Sequence, residues 1–422
     1  MSKQTFDIII IGAGIVGLTM ANLAAENGFD VAVVEASPAP QTSLGKGSYV
    51  DSKETKLPLP QRLSGGESWG EREQKSPYSL RVSAITPSSE KIFQLIGIWD
   101  ELINTRVSPF QKMHVWDELG SGSIDFDAAT RYETSLGHII ENDIMLAALL
   151  KKAHSLANIT FFYDFTPKNI VISNQIATLK HEDFDLNAKL IIGADGAKSW
   201  LRNQLHIPIE TYQYHQNALV AVIQTEKPHQ KTAWQRFLSD GILAFLPLEN
   251  PYFSSIVWST TPALAEKLLQ LEPSEFNAYL SKRFENTLGK TKLESKRQTF
   301  PLRMLHAKDY VGTRVALIGD AAHTIHPLAG QGLNLGLADA FELAKLINHA
   351  HQAKQDIGHL SVLKKYQTKR KLQNQIMISS MAGFKDLFLK KSSPIVLARN
   401  LGLSLSNRIP FIKNFFIQQS RG

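Results

Sequence analysis

With 422 residues, 43% of them hydrophobic and 20% charged, the chain has the balance of a globular protein of two or three domains. It contains no cysteine, which excludes disulfides, iron–sulfur clusters, thiolate metal sites and a cysteine nucleophile. The formal charge of +7 is uneven: residues 361–422 carry twelve Lys/Arg against the single acid Asp386, and the rest of the chain is net acidic.

Residues 8–25 are long and apolar enough to raise a membrane span, but Gly12, Gly14, Gly17 and Asn22 interrupt them. The pattern predicts a buried strand over Asp7–Ile11, a glycine turn, a helix from Ile15 to Asn27 stopped by Gly28, and a second strand over Val31–Glu35. No other apolar stretch is long enough to cross a bilayer. Residues 36–78 are rich in Pro, Ser, Gly, Lys and Glu and read as a long surface loop. A helical pattern runs through 82–106 by way of Ile92, Leu95 and Ile96. Ala218–Gln224, Ala233–Leu238, Ile242–Leu248 and Ser254–Ser259 alternate as antiparallel strands. Glycine-rich segments at 311–336 lead into a helix over Leu335–Ala350. The basic C-terminal stretch interleaves Met377, Met381, Phe384 and Phe388, then Phe411, Phe415 and Phe416, with its cations. Such a stretch either lies on an anionic membrane surface or packs on the body as a solvated helix. No nucleic-acid recognition motif accompanies the charge.

Three glycine-bearing motifs carry the chemistry. In Gly12-Ala13-Gly14-Ile15-Val16-Gly17, Gly12 makes the tight turn, Gly14 lets backbone approach a pyrophosphate, and Gly17 lets the helix pack on its strand. Glu35, at the end of the next strand, is placed to accept from a ribose diol. The helix N-terminus adds free N–H groups and positive dipole. This fingerprint alone does not separate FAD from NAD. In the second motif, Ile191-Ile192-Gly193-Ala194-Asp195-Gly196, a strand runs into a turn whose carboxylate organises nearby donors, with Arg202 following. The third is the most specific. A strand over Arg314–Ile318 delivers Gly319-Asp320-Ala321-Ala322-His323, where Asp320 can bind a ribityl hydroxyl; Pro327 and Gly330-Gln331-Gly332-Leu333-Asn334 then permit close approach to a flat ring. The histidines show no metal-binding helix spacing and there is no nucleophile elbow. No side chain stands out as a catalytic base, so a cofactor must carry the reaction.

In this order the three motifs resemble those of the class A flavoprotein monooxygenases, the para-hydroxybenzoate hydroxylase-like group. Gly319–Gly336, with Leu80–Ile85, Gly137–Asn142 and Gly241–Leu248, is similar to the ubiquinone-biosynthesis hydroxylases, which act on polyprenylated phenols. Trp99, His114–Asp117 and Ser255–Ser259 resemble the subgroup that oxidises ring C5 of 2-octaprenylphenol more than those acting at C6 or C1. The 36–78 loop is longer than the family pattern.

The resemblance implies an α/β fold: a Rossmann-like FAD-binding domain from residues 1–110, 138–205 and 311–350. It further implies an inserted, mostly antiparallel β-sheet substrate domain from 111–137 and 206–310, and a basic helical C-terminal region, 351–422. It implies non-covalent FAD, with Gly12, Gly14, Gly17 and Glu35 on the pyrophosphate and adenosine ribose. Arg81 then reaches the flavin or its phosphates, Asp195 and Asp320 supply the other two cofactor contacts, and Gly332, Leu333 and Asn334 flank the isoalloxazine. O₂ is the expected co-substrate, NAD(P)H or a reductase the electron donor, and a flavin C4a-hydroperoxide the hydroxylating species. Trp234, Phe245, Trp258 and Pro327 are the expected lining of an apolar tunnel for the isoprenoid tail, with plain sheet core as the other reading of the aromatics. Expected partners are the polyprenylled phenol substrate, a ubiquinone-biosynthesis protein complex and an anionic membrane surface, with a cytoplasmic location peripheral to the inner membrane face. The rival readings are a prenyl-chain flavin reductase and a catalytically silent FAD-binding scaffold subunit; the tryptophan motif of flavin-dependent halogenases is absent.

Overall fold

A computed structural model of the chain describes residues 3–39, 78–118, 122–325 and 332–389, arranged in three sheets. Pro327, most of the 36–78 loop and residues 390–422, with Phe411, Phe415 and Phe416, lie outside the described residues.

The first sheet grows from β1 (Lys3–Ile11), α1 (Ile15–Glu26) and β2 (Val31–Val34). β8 (Ile159–Phe162), β11 (Asp185–Gly193) and β19 (Val315–Leu317) join in parallel, in the order β19-β11-β1-β2-β8. β9 (Asn169–Ile172), β10 (Ala177–Lys180) and β18 (Val311–Gly312) add antiparallel margins. Ile8, Ile9, Ile10, Ala32, Val33, Ile191, Ile192 and Ala316 are fully buried, as strands covered on both faces require. α1, α4 (Asn142–His154), α8 (Gly332–Gln352) and α9 (Leu360–Leu389) supply the covering. α1 is buried from Gly17 to Ala25. Two polar residues are buried in it: Thr19 Oγ1 donates to Ile15 O at 2.7 Å, and Asn22 Nδ2 donates to Leu18 O and, across the helix interface, to Leu149 O at 3.1 Å.

The register of this sheet decides where a site can form. Ile11 pairs with both Val34 and Gly193, and Gly193 pairs with Leu317. The strands that precede Gly12, Glu35, Asp195 and Asp320 therefore all end at one level, the carboxyl edge where open α/β sheets bind ligands.

The second sheet is small and antiparallel: β3 (Val82–Ile85), β7 (Gly137–Glu141) and β4 (Ser108–Phe110). The helical pattern expected through 82–106 thus begins with a strand. Thr86 ends it by capping α2 (Pro87–Ile96), which stops at Gly97 with φ +80° before α3 (Trp99–Thr105).

The third sheet has nine strands. β20 (His323–Thr324), β17 (Gln298–Ala307), β12 (Ile209–Thr225), β15 (Phe253–Thr260), β14 (Gly241–Pro247), β13 (Thr232–Leu238), β5 (Lys112–Asp117) and β6 (Ser123–Asp127) follow in that order, and β16 (Thr291–Leu293) pairs with β12. All neighbours are antiparallel except β13 and β5. The four expected strands are present, but β12 starts nine residues earlier than the alternation at Ala218 suggests, because it pairs with β17 across a register break between Gln213 and Gln216. α6 (Pro262–Gln270) and α7 (Pro273–Arg283) close one face. Since β19 belongs to the parallel sheet and β20 to this one, the third motif crosses from one sheet to the other. Among the described residues no helix is long and apolar enough to cross a membrane.

Candidate cofactor site and substrate face

Gly12 turns at φ +105°, and a Cβ there would lie 2.6 Å from Ala194 O. The fingerprint turn therefore rests directly on the backbone of the second motif, an arrangement only glycine permits. At Gly17 a Cβ would meet Gly12 O at 2.0 Å, so α1 packs on its own entry loop. Gly14 differs: it caps α1 in extended backbone, and a Cβ there would meet nothing within 4 Å. It faces open space at the N-terminus of the helix, where N–H groups lack partners and the dipole favours an anion. Glu35 reaches back to this loop. Its Oε2 accepts the Ala13 N–H at 2.8 Å and its Oε1 the Ser37 N–H at 3.0 Å.

Asp195 Oδ2 accepts the Leu201 N–H at 3.1 Å, while its Oδ1 is buried without a protein partner. A buried carboxylate oxygen left bare costs free energy unless another molecule supplies the donor. Arg202, buried within α5 (Trp200–Gln204), links motifs: Nη2 donates to Ala197 O at 2.8 Å and Nη1 to Ala321 O at 2.9 Å.

In the third motif Gly319 adopts φ +59° and places Asp320 at the sheet edge. Asp320 retains exposed surface, yet the protein around it pushes its carboxyl above the ordinary range, with the charges of His323 and Arg81 opposing. Val16 of the fingerprint fits between two glycines of this region: a Cβ on Gly319 would lie 3.2 Å from its side chain and one on Gly336 at 2.7 Å. Gly332 opens α8 with nothing near its missing Cβ, and half-buried Leu333 packs on the parallel-sheet core. Asn334 is buried; its Nδ2 donates to Ala84 O at 2.7 Å and its Oδ1 accepts the Thr86 N–H at 3.1 Å. This latches α8 to β3, the strand that Arg81 precedes.

Arg81 is exposed, with its guanidinium 5.6 Å from the centre of the Phe300 ring on β17. The segment before it is pinned. Arg106 stacks on Tyr78 at 4.6 Å, Ser79 N–H donates to Glu141 at 2.6 Å, and Arg106 clasps the same carboxylate through Nε at 2.7 Å and Nη2 at 3.0 Å.

The nine-stranded sheet has two unlike faces. One carries Leu219, Ala221, Leu243, Phe245, Ile256 and Trp258 against α6 and α7. Phe245 stacks on Phe284 at 3.7 Å, and both Phe245 and Trp258 are fully buried. The structure thus places these two in the sheet core, because a β-strand alternates and their register puts them on the helix-covered side. Trp234, half-buried, packs against the same core and donates Nε1–H to His229 O at 3.3 Å. The opposite face carries Ala218, Val220, Ala244, Val257 and Phe300, which are cross-strand neighbours. Ala244 and Val257 are half-buried and Phe300 is 37% exposed, beside Arg81. Ala218 and Val220 are buried, so Phe300, beside Arg81, is the exposed apolar group of this face. The alternation within β14 and β15 carried that information, once α6 and α7 are seen to cover one side.

Two carboxylates and a guanidinium that matter structurally are Glu141, Asp339 and Arg370. Charged residues in a helix pattern ordinarily mark a solvated face; the signal available for Asp339 is its four-residue spacing from Leu335 and Leu343, all on the buried stripe of α8.

An orphaned carboxylate oxygen at Asp195, an open glycine at a helix N-terminus, and carboxylates at Glu35 and Asp320 along one sheet edge fit a dinucleotide. Together with the inserted nine-stranded, mostly antiparallel sheet, they match an FAD-dependent monooxygenase of the para-hydroxybenzoate hydroxylase-like fold. A family model described as an FAD binding domain matches residues 71–380, and one described as an NAD(P)-binding Rossmann-like domain matches residues 10–42. The chain is 32% identical to 3-demethoxyubiquinol 3-hydroxylase of Escherichia coli (strain K12), covering 100% of both chains. It is also 32% identical to the mitochondrial ubiquinone biosynthesis monooxygenase COQ6 of Danio rerio, over 97% of this chain and 88% of the relative. The fold superposes on p-nitrophenol 4-monooxygenase PnpA from Pseudomonas putida DLL-E4 with a TM-score of 0.73 at 15% identity, covering 99% of each. The chain belongs to the ubiquinone-biosynthesis hydroxylase family of FAD-binding monooxygenases. FAD is its cofactor and O₂ its oxidant.

Proposed function

We propose that the chain hydroxylates the aromatic ring of a polyprenylated phenol on the route to ubiquinone, at ring C5 of 2-octaprenylphenol. The observation that carries the reading is the apolar face of Ala218, Val220, Ala244, Val257 and Phe300, whose exposed member Phe300 lies beside Arg81. An isoprenoid tail needs such a surface, since each buried methylene contributes about 0.8 kcal/mol without polar contact. When bound, FAD supplies electron transfer and oxygen activation. The chain's part is to bind, orient and exclude water. Gly14 and the first N–H groups of α1 take the diphosphate, and Gly12 and Gly17 hold that loop. Glu35, fixed by the N–H groups of Ala13 and Ser37, has lone pairs left for the adenosine ribose. Asp195 and Asp320 would take polar groups of the cofactor, Arg81 would reach the flavin or its phosphates, and Gly332, Leu333 and Asn334 would flank its ring. The apolar sheet face then keeps water from the reacting ring.

Trp99, His114–Asp117 and Ser255–Ser259 support the C5 position. The alternative position is the one named for the Escherichia coli relative, favoured by its match over the full length of both chains. The fingerprint at residues 12–17 serves FAD, and NAD(P)H or a reductase delivers electrons from outside it. Lys364 and Lys365, exposed on α9 with Leu372 and Ile376, support contact of the C-terminal region with an anionic membrane surface, where such a phenol resides. The enzyme then works from the cytoplasmic side, alone or in a biosynthetic complex. Two measurements test the assignment: phenol-dependent O₂ uptake by the purified holoenzyme, and the intermediate that accumulates when the protein is removed from its cell. Accumulated 2-octaprenylphenol supports C5; accumulated 3-demethoxyubiquinol moves the site to the second position; normal ubiquinone and no phenol-dependent uptake refute both.

A further inference from the structure

Asp339 lies within α8 with no exposed surface, and partners from the third motif and from α9 converge on its carboxylate. Oδ2 accepts the backbone N–H of Gly319 at 3.0 Å and Nε2–H of His323 at 2.5 Å. Oδ1 accepts Nε–H of Arg370 at 2.7 Å and Nδ2–H of Asn374 at 3.5 Å, both from α9. Arg370 spends its other N–H groups on Leu335 O at 3.2 Å, Asn374 Oδ1 at 3.1 Å and Gln373 Oε1 at 2.6 Å. Behind them Asn374 donates to the Tyr310 hydroxyl at 3.3 Å, which meets His306 Nε2 at 2.7 Å, and Tyr366 donates to Leu317 O at 2.9 Å. Burial alone would raise the Asp339 carboxyl; the charges and hydrogen bonds of His323 and Arg370 outweigh it and hold it at about 2.

A buried ion pair is weak evidence of stabilisation, because apolar side chains of the same volume serve a core at least as well. What this one does is geometric. Gly319 immediately precedes Asp320, and His323 follows it by three, so Asp339 grips both ends of the turn that presents Asp320. We propose that Asp339 and Arg370 are positioning residues: α9 closes on α8 through them and holds the Gly319–His323 turn in its flavin-binding shape, so that order in α9 sets FAD affinity. This rests on the reading of Asp320 as a cofactor ligand.

The test is FAD titration of the apoprotein by fluorescence quenching, well below the unfolding temperature, with the visible flavin band recorded. Asp339→Asn and Arg370→Met should weaken FAD by about tenfold or more, inside the roughly 5- to 150-fold span of coupling between sites, and should alter the flavin band. Arg370→Lys, which keeps the charge, should recover part of the loss. Arg314→Lys is the control: Arg314 is buried and paired with Asp356 at the other end of the same strand, so it should lower the melting temperature and leave FAD affinity unchanged. Should Asp339→Asn or Arg370→Met fail to fold, Asn374→Ala trims only the edge of the network and should still weaken FAD by a few-fold. Asp320→Ala separates the two claims. If it loses FAD while the Asp339, Arg370 and Asn374 variants bind normally, or lose affinity only in the proportion that Arg314→Lys does, the clamp is wrong. If Asp320→Ala keeps FAD, the assignment of the motif fails and the clamp with it.

Discussion

Replacing Gly14 by alanine should separate folding from cofactor binding. Gly14 caps α1 at φ −75° and ψ 177°, backbone that alanine adopts freely, and its Cβ would meet nothing within 4 Å. Alanine is a poorer helix cap than glycine, by about 0.5–1 kcal/mol, while the smaller entropy of its unfolded chain returns about 0.4–1 kcal/mol. These nearly cancel, so the apoprotein should melt within a few degrees of the wild type. The added methyl instead fills the approach of the diphosphate. Overpacking a close contact costs about 1–3 kcal/mol, or roughly a 5- to 150-fold loss of FAD affinity. Gly17→Ala gives the contrast: its Cβ would lie 2.0 Å from Gly12 O, so α1 must move and the apoprotein itself should be destabilised. Calorimetry of both apoproteins and FAD titration of each decide the matter. Wild-type FAD affinity in Gly14→Ala would show that the diphosphate does not approach there, and a Gly17→Ala apoprotein as stable as the wild type would show that α1 does not pack on its entry loop.

Asp320→Ala should keep the fold and lose FAD affinity about 10- to 150-fold, the value of one hydrogen bond to a charged acceptor at about 1.5–3 kcal/mol; equilibrium dialysis reads it, and unchanged affinity would remove Asp320 from the site. His138 is half-buried beside Trp99, and that burial holds its imidazole down to about 4. The unfolded chain takes up a proton near pH 6.5 while the folded one resists, so stability present at neutral pH should fall by about 2 kcal/mol by pH 5; His138→Gln should show a correspondingly flatter denaturation profile, and an identical profile would refute the assignment. Binding of the C-terminal region to anionic vesicles should be strong at 0.1 M salt and weak at 1 M, as the Debye length contracts from about 10 to about 3 Å. It should also fall when the chain stops at Ser392; equal sedimentation of intact and truncated protein returns the region to a solvated helix.

The cofactor edge was readable because glycine spacing encodes contact distances. Gly12 and Gly17 sit where a Cβ would clash and Gly14 where it would meet nothing, while Glu35, expected to accept from a ribose diol, takes the Ala13 N–H at 2.8 Å. What could not be read depends on partners distant in sequence. Val82–Ile85 reads as helix until β7, more than fifty residues on, claims it as a strand. The polar half of β12 shows no alternation of its own and is ordered by β17 across a register break. Phe245 and Trp258 look like tunnel walls until α6 and α7 cover their side of the sheet. Asp339, Arg370 and Asn374 look solvated until two helices meet over the third motif.

The proposed reaction places one oxygen atom from O₂ on a prenylated phenol ring. Turnover of the FAD-loaded enzyme with 2-octaprenylphenol and reductant under ¹⁸O₂, followed by mass spectrometry of the ring, tests it most directly. A hydroxylase of this kind should give one ¹⁸O per product ring, with O₂ consumption that depends on the phenol. Label arriving only from ¹⁸O-water, a product reduced in its prenyl chain, or no product with the flavin bound would contradict it.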